Sequence, residues 1–264
     1  QRSDVNYDES RVPSYTLPDP LTTSEGRQVT DARMWQTVRR PEILELFRTH
    51  VYGHSPDRPE NMTFTVTDVD KQALDGTATR KQVTVHFDGK TGGPKMDILI
   101  YLPNDAERPV PGFVGLNFYG NHTIHNDPGI TLSKQWMRSN ASKGIVDHRA
   151  TEASRGTSSS RWAVEGILER GYALATIYCG DIDPDYDDGF QNGVHPLSYR
   201  PGQTKPDADQ WGTIAAWAWG LSRALDYFAS DDELDPEQQQ ERQGQNTDCA
   251  DQVFDKMFHA VHPA

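Results

Sequence analysis

Asn117-Phe-Tyr-Gly-Asn-His122 places two amides, a glycine and an imidazole directly after the apolar run Gly112-Phe-Val-Gly-Leu-Asn117. Open α/β sheets bind ligands beyond the carboxyl ends of their strands, so Asn117, Gly120, Asn121 and His122 are candidates to line a pocket. The same residues also suit a turn at Gly120 and a structurally hydrogen-bonded His122. A second acidic string, Gly180-Asp-Ile-Asp-Pro-Asp185, follows the apolar run Tyr172–Tyr178 and makes Asp181 a further pocket candidate. With Asp187, Asp188 and Gly189 it resembles a calcium loop in composition only. Counted from Asp183, the sixth and twelfth positions hold Asp188 and Val194, where such a loop needs Gly and Glu. These carboxylates are expected to cap turns and to pair with arginines such as Arg200. The histidines show no H-x-x-x-H spacing on an identifiable helix, so no zinc site or other cofactor is expected. Of the tryptophans, Trp162, Trp217 and Trp219 suit core positions, and Trp211, at a helix start, is the one expected as a pocket contact.

A nucleophile is missing from this inventory. No G-x-S-x-G occurs, and the nearest string, Gly156-Thr-Ser158-Ser-Ser160, precedes a helical pattern instead of following a strand. It reads as a helix N-cap cluster. Ester cleavage by acyl transfer needs an activated hydroxyl, a base and donors for an oxyanion. His122 has nothing to activate, and His259 and His262 lie in a stretch of different composition.

The elements that would position these residues follow from periodicity. Residues 1–28 carry Pro13, Pro18 and Pro20 without pattern and read as an extended arm. Pro41 suits a helix first turn, with Ile43, Leu44, Phe47 and Val51 as an apolar stripe and Gly53 as C-cap. Met62, Phe64 and Val66, then Val83, Val85 and Phe87 after the Asp75-Gly76 turn signal, alternate as two half-buried antiparallel strands. Ile98–Leu102, Gly112–Phe118 and Tyr172–Tyr178 are continuous apolar runs, suited to strands covered on both faces. A helix is expected over Ser158–Arg170 with Ser160 as N-cap and Trp162, Val164, Ile167 and Leu168 inward. Another is expected over Trp211–Phe228 with Ile214, Trp217, Leu221, Leu225 and Phe228 on its buried face. Asp235-Pro236 reads as the turn before a further strand. The order implies an α/β fold with a mainly parallel sheet, antiparallel N-terminal strands and flanking helices.

The remaining residues, 237–264, hold 6 of the 15 glutamines and offer no strand to continue that sheet, although Val253, Met257 and Val261 could share one face of a short helix. Twenty-six basic against 39 acidic side chains give a net charge of −13, which disfavours nucleic acid and anionic membranes as partners. No apolar run approaches the roughly 18 residues of a membrane helix. The first residue is Gln1, as in a mature exported chain after loss of a signal peptide. Two cysteines, Cys179 and Cys249, define no disulfide framework, and Cys179 reads as a small core residue.

Four strings in order, Asn117–His122, Arg155-Gly-Thr-Ser-Ser-Ser-Arg-Trp162, Gly180–Asp185 and Trp211-Gly-Thr-Ile-Ala-Ala-Trp-Ala-Trp-Gly220, resemble the bacterial glucuronoyl esterases. These are carbohydrate esterases of the α/β-hydrolase fold that cleave the ester between lignin alcohols and glucuronic acid on xylan. The similarity runs from about Val29 to Pro236. It implies an incomplete α/β-hydrolase sheet, an acyl pocket beside Asn117–His122, and a plant cell-wall glucuronoxylan or lignin–carbohydrate ester as partner. In that family the next strand leads into a G-[CH]-S-R-x-G turn supplying the nucleophile and an oxyanion arginine, with the triad acid and histidine further on. None of those positions exists here, so the resemblance implies a chain cut short of its chemistry, inactive and prone to self-association. A glucuronoxylan-binding pseudoenzyme and an acetyl xylan esterase-like hydrolase remain as alternatives.

Overall fold

The computed structural model describes residues 5–234. The chain divides into two compact units at the Val51–Tyr52 boundary. In the first, residues 13–19 carry no regular structure after a tight turn at Glu9–Arg11, and two further turns close on an antiparallel bridge between Thr22 and Gln28. The first helical stretch starts earlier than Pro41 indicates, because Asp31 Oδ1 accepts the Met34 N–H at 2.8 Å and caps it. It runs through a wide turn, Trp35–Arg39, into α1 (Arg40–Phe47), where Pro41 sits in the first turn as expected.

In the second unit, strands β1 (Thr63–Ala73), β2 (Ala78–His86), β3 (Lys95–Pro103), β4 (Gly112–Asn117) and β7 (Ala173–Tyr178) form one sheet in the order β1-β2-β3-β7-β4. A small hairpin, β5 (Ile145–Val146) and β6 (Arg149–Ala150), stands apart from it. Asp75 and Gly76 turn β1 into β2 with φ of +57° and +84°, as the turn signal requires. The sheet is mixed: β1, β2, β3 and β7 pair antiparallel, and β7 with β4 is parallel. Within the described residues the parallel character expected of the central runs is thus confined to one pair. The link from β3 to β4 is too short for a crossover. The long connection from β4 to β7 carries α2 (Val164–Leu168) and brings β7 between them.

The continuous apolar text of β3 is explained by cover on both faces. Ile98, Ile100 and Leu102 join one core with α4 (Thr213–Phe228), and the alternate residues Leu99 and Tyr101 join another with Ile124, Ile130, Val164 and Leu168. β2, expected to be half-buried, is buried at every residue. Most of its polar positions are satisfied in place: Gln82 Nε2 donates to the Gly129 carbonyl, and Lys81 Nζ to Asp231 and Glu233, whereas His86 Nδ1 has no partner among the described residues. β4 departs the other way. Phe113 is 57% exposed, and among the described residues no strand pairs with the outer edge of β4, the isolated parallel bridge from Val110 to Leu234 lying just before it.

Two helix assignments need correction. Ser159–Arg161 forms a separate tight turn, Trp162 is extended, and α2 begins only at Val164 after an Ala163 cap with no side-chain bond, so Ser160 is not an N-cap. α4 is rotated from its expected face. Ala216, Trp219, Gly220, Arg223, Ala224 and Tyr227 are buried, whereas Ile214 is 61% exposed and Trp217, Leu221, Leu225 and Phe228 are half-buried. The small residues decide this, because they let the helix axis approach closely. A Cβ on Gly220 would stand 2.2 Å from Ile182 Cδ1 in the turn α3 (Cys179–Ile182). α4 is therefore apolar on two sides, the pattern of a helix packed between layers.

Cys179 is buried and unbridged, and burial pushes its thiol up to about 12, which fits the core role expected of it. Cys249, His259, His262 and the 237–264 segment lie outside the described residues, as does the Asp235-Pro236 turn. Among the described residues no helix is long and apolar enough to cross a membrane.

Candidate functional site

The carboxyl ends of β4 and β7 lie side by side, with Asn117 opposite Tyr178. The antiparallel β3 brings its first residues to the same edge, since Ile98 pairs with Ile177. Three strands thus deliver polar side chains to one place. Asn117 Nδ2 donates to Asn121 Oδ1 at 2.6 Å and to Thr176 Oγ1 at 3.0 Å. Asn121 Nδ2 donates to the Asp97 carbonyl at 2.8 Å, and the Asp97 N–H donates to Asp181 Oδ2 at 3.0 Å. Thr84 Oγ1 closes the network on Asp97 Oδ1 at 2.6 Å. Asn117, Asn121 and Asp181, singled out from sequence, are therefore parts of one hydrogen-bonded array, and all three are buried.

Asp181 is the electrostatic centre of that array. Burial first, and the Asp97 charge second, raise its carboxyl to about 8, against the single backbone N–H that favours the ionised form. At neutral pH it is mostly protonated. Asn117 Oδ1 has no hydrogen-bond partner among the described residues, an unspent acceptor at the strand end.

His122 sits in the next turn, where Gly120 takes φ +94° and leaves no room for a Cβ, which would stand 2.5 Å from the His122 ring. His122 Nε2 lies 2.8 Å from Ser154 Oγ, the atoms of a nucleophile–base pair. The proton bookkeeping excludes that role. Ser154 Oγ donates to the Thr151 carbonyl at 2.5 Å, so it can only accept from His122, whose Nε2 carries the hydrogen and whose Nδ1 is left unpartnered. Both side chains are fully buried. Burial, with the Arg155 charge behind it, holds the imidazole down at about 4, neutral and donating. His122 is thus a structural strut for the turn, the role the sequence left open beside pocket lining.

Trp211 does not join the array. It is buried against His195 and Trp219, at centroid distances of 5.0 and 5.3 Å, and lines a separate cavity of about 370 Å³. In the acidic loop, Asp188 accepts the N–H groups of Phe190 and Asn192 and Asp187 that of Gly189, so these carboxylates cap turns as expected. Arg200 pairs instead with Asp207, and Arg138 reaches Asp185 at 3.7 Å, because Arg200 follows the loop on its far side.

Sequence reasoning missed Asp97, Thr84, Thr176 and Ser154. Asp97 did carry a signal: it is the lone carboxylate in the apolar run Met96–Leu102. The other three are hydroxyls whose roles depend on strand register alone.

The chain is 50% identical over 230 residues to carbohydrate esterase MZ0003 of an unknown prokaryotic organism, an alignment covering 87% of this chain and 53% of that protein. Its fold matches the glucuronoyl esterase from Solibacter usitatus with a TM-score of 0.79 at 50% identity, over 86% of this chain and 57% of the other. A promiscuous CE15 esterase from the marine bacterial metagenome matches with a TM-score of 0.75 at 49% identity, over 87% and 57% of the two chains. No family model matches. The chain spans little more than half the length of these relatives. Half the aligned residues and the backbone course of the sheet are shared with them, the stretch carrying the Asn117–His122 and Gly180–Asp185 motifs included in the described fold. Over the part of their length that it spans, the chain is similar in sequence and fold to the glucuronoyl esterases and to a carbohydrate esterase.

Proposed function

We propose that this chain forms the pocket-bearing part of an ester hydrolase acting on the glucuronic acid ester of a plant cell-wall xylan, and that the 264 residues by themselves do not turn over. The observation that carries this reading is the buried array at the β4 and β7 carboxyl ends, in a chain half identical to a glucuronoyl esterase. Asn117, Gly120, Asn121 and Asp181 form the floor of the acyl pocket, with His122 bracing it. The group that attacks the ester is supplied by residues outside this sequence. The working layout is an arm over 1–28, the hydrolase portion over 29–236 and a compositionally distinct segment over 237–264. An exported location suits a substrate that is an insoluble extracellular polymer.

The purified chain, offered a benzyl ester of glucuronic acid, is expected to release alcohol no faster than a buffer blank and to form no adduct with a fluorophosphonate probe. A polypeptide continuing past Leu234 into a nucleophile turn is expected to do both. Serine-dependent turnover by the 264-residue chain sinks the proposal.

The open side of β4 and the outer stripe of α4 also favour self-association. Phe118, 54% exposed, meets Trp217 edge-on at 5.7 Å, and Phe113 of β4, 57% exposed, meets Tyr172, the residue before β7, at 5.4 Å. Sedimentation velocity is expected to show mass rising with concentration, with Phe113→Lys and Phe118→Lys shifting the chain toward monomer. Concentration-independent monomer in the unaltered chain argues against it.

A further inference from the structure

The cavity beside Trp211 lies away from the Asn117–Asp181 array and has a composition of its own. Its apolar wall is Phe87, Trp211 and Trp219, three rings in mutual contact: Phe87 to Trp219 at 5.1 Å and Trp219 to Trp211 at 5.3 Å. Its rim is polar, with the exposed Asp57, Glu60 and Asn61 on one side and the half-buried Asp88 on the other. At about 370 Å³ it falls in the lower part of the roughly 300–1,000 Å³ range of small-molecule sites.

The tryptophans differ in how their N–H groups are spent. Trp217 Nε1 donates to the Asp183 carbonyl at 2.8 Å, and Trp219 Nε1 donates to the Pro56 carbonyl at 3.0 Å. Trp211, only 2% exposed, donates its indole hydrogen to no described residue. Buried indoles normally find an acceptor, so a cavity-lining one that has none is a donor held in reserve. Behind it His195, fully buried, makes no hydrogen bond through either ring nitrogen among the described residues, although its Nδ1 lies 3.4 Å from Asp183 Oδ1.

Apolar rings on one wall, an unspent donor among them and carboxylate and amide acceptors at the mouth complement a ligand with a C–H face and a ring of hydroxyls. We propose that this cavity is a binding subsite for a neutral pyranose unit of a polysaccharide, separate from the acyl pocket. Asp57, Glu60 and Asp88 against the single Lys90 make the mouth net negative, which favours an uncharged sugar over a uronate. The proposal stands on this cavity alone and does not depend on ester cleavage.

The test is a titration of the full chain, labelled with ¹⁵N, with xylotetraose, cellotetraose and glucuronic acid, read at the tryptophan indole cross-peaks. The Trp211 peak, assigned by its loss in Trp211→Phe, is expected to shift saturably with a neutral oligosaccharide and not with glucuronic acid. Glu60→Gln and Asp57→Asn, on the exposed rim where folding is not at stake, are each expected to weaken that binding about tenfold, as for loss of a charge-assisted hydrogen bond. No saturable shift with either neutral sugar in a well-dispersed spectrum overturns the proposal. So does a shift confined to other indoles or unaffected by the rim variants. Preferential binding of glucuronic acid overturns the choice of a neutral ligand.

Discussion

Replacing Arg80 by methionine is expected to lower the unfolding free energy at pH 7 by about 3–5 kcal/mol, the cost of leaving a buried carboxylate without its partner. Arg80, 5% exposed, gives Nη1 to Asp127 Oδ2 at 2.7 Å and its Nε and Nη2 to Asp68 Oδ2 at 3.2 and 3.1 Å. Asp68 and its neighbour Asp70 have side chains 40% and 41% exposed, where water screens the loss, so most of the cost falls on Asp127, whose side chain is 8% exposed. Burial alone would raise the Asp127 carboxyl. The hydrogen bonds from Tyr101 and Arg80 outweigh it and hold that carboxyl below its ordinary value. The sign follows: a depressed carboxyl contributes stability above its unfolded value of about 3.9, and that contribution disappears as pH falls through the folded value. The Arg80→Met deficit is therefore expected to shrink in acid, where Asp127 takes up a proton. Guanidinium unfolding at pH 7 and at about pH 2 checks both points, and a neutral-pH loss below about 1 kcal/mol would show that Asp127 finds other support. The effect reaches the candidate site through the loop after His122, which Arg155 Nη1 also holds at the Asp127 and Ile130 carbonyls.

Asp181→Asn is expected to abolish a pH dependence of stability that runs in the opposite direction. The folded value of about 8 stands above the ordinary 3.8. Below pH 4 the carboxyl is protonated in both states and contributes no difference. Between about 4 and about 8 the unfolded chain ionises while the folded one keeps its proton, so stability falls as pH rises, by at most about 1.4 kcal/mol per unit. Above about 8 the loss is complete. Asparagine keeps an oxygen for the Asp97 N–H without a charge to bury. The variant should be little different from the parent at pH 5 and clearly more stable at pH 9. Unfolding midpoints at pH 5, 7 and 9 decide it, and parallel profiles for the two proteins would mean that Asp181 is solvated. A carboxyl kept neutral at this edge can donate a hydrogen bond at neutral pH.

Period and run length were enough to read β1 to β4, β7 and the Asp75-Gly76 hairpin, because β1 and β2 leave an alternation in the text and β3, β4 and β7 a continuous apolar run. The candidate site residues Asn117, Asn121 and Asp181 were legible for a related reason: Asn117 closes an apolar run and the other two follow one within four residues, and a run's end marks a strand's end. The face of α4 was not. Its apolar residues surround the axis, so the stripe Ile214, Trp217, Leu221, Leu225 and Phe228 and the buried set around Ala216 and Gly220 are equally good amphipathic patterns. Contact with Ile182 chose between them, and no local property of the helix encodes that contact.

The sequence by itself determined the strands, the hairpin, the loop after β4 and the absence of an attacking hydroxyl in a G-x-S-x-G turn, since these are properties of neighbouring residues. Only the tertiary structure decided that Asp97 of the antiparallel β3 meets Asp181, that Ser154 accepts from His122 instead of attacking, and that Trp211 faces a different cavity. The first two join residues 84 positions apart, Asp97 and Asp181, and 32 positions apart, His122 and Ser154. Their distances are fixed by strand register and by the long crossover that inserts β7 between β3 and β4, a long-range arrangement that no local pattern specifies.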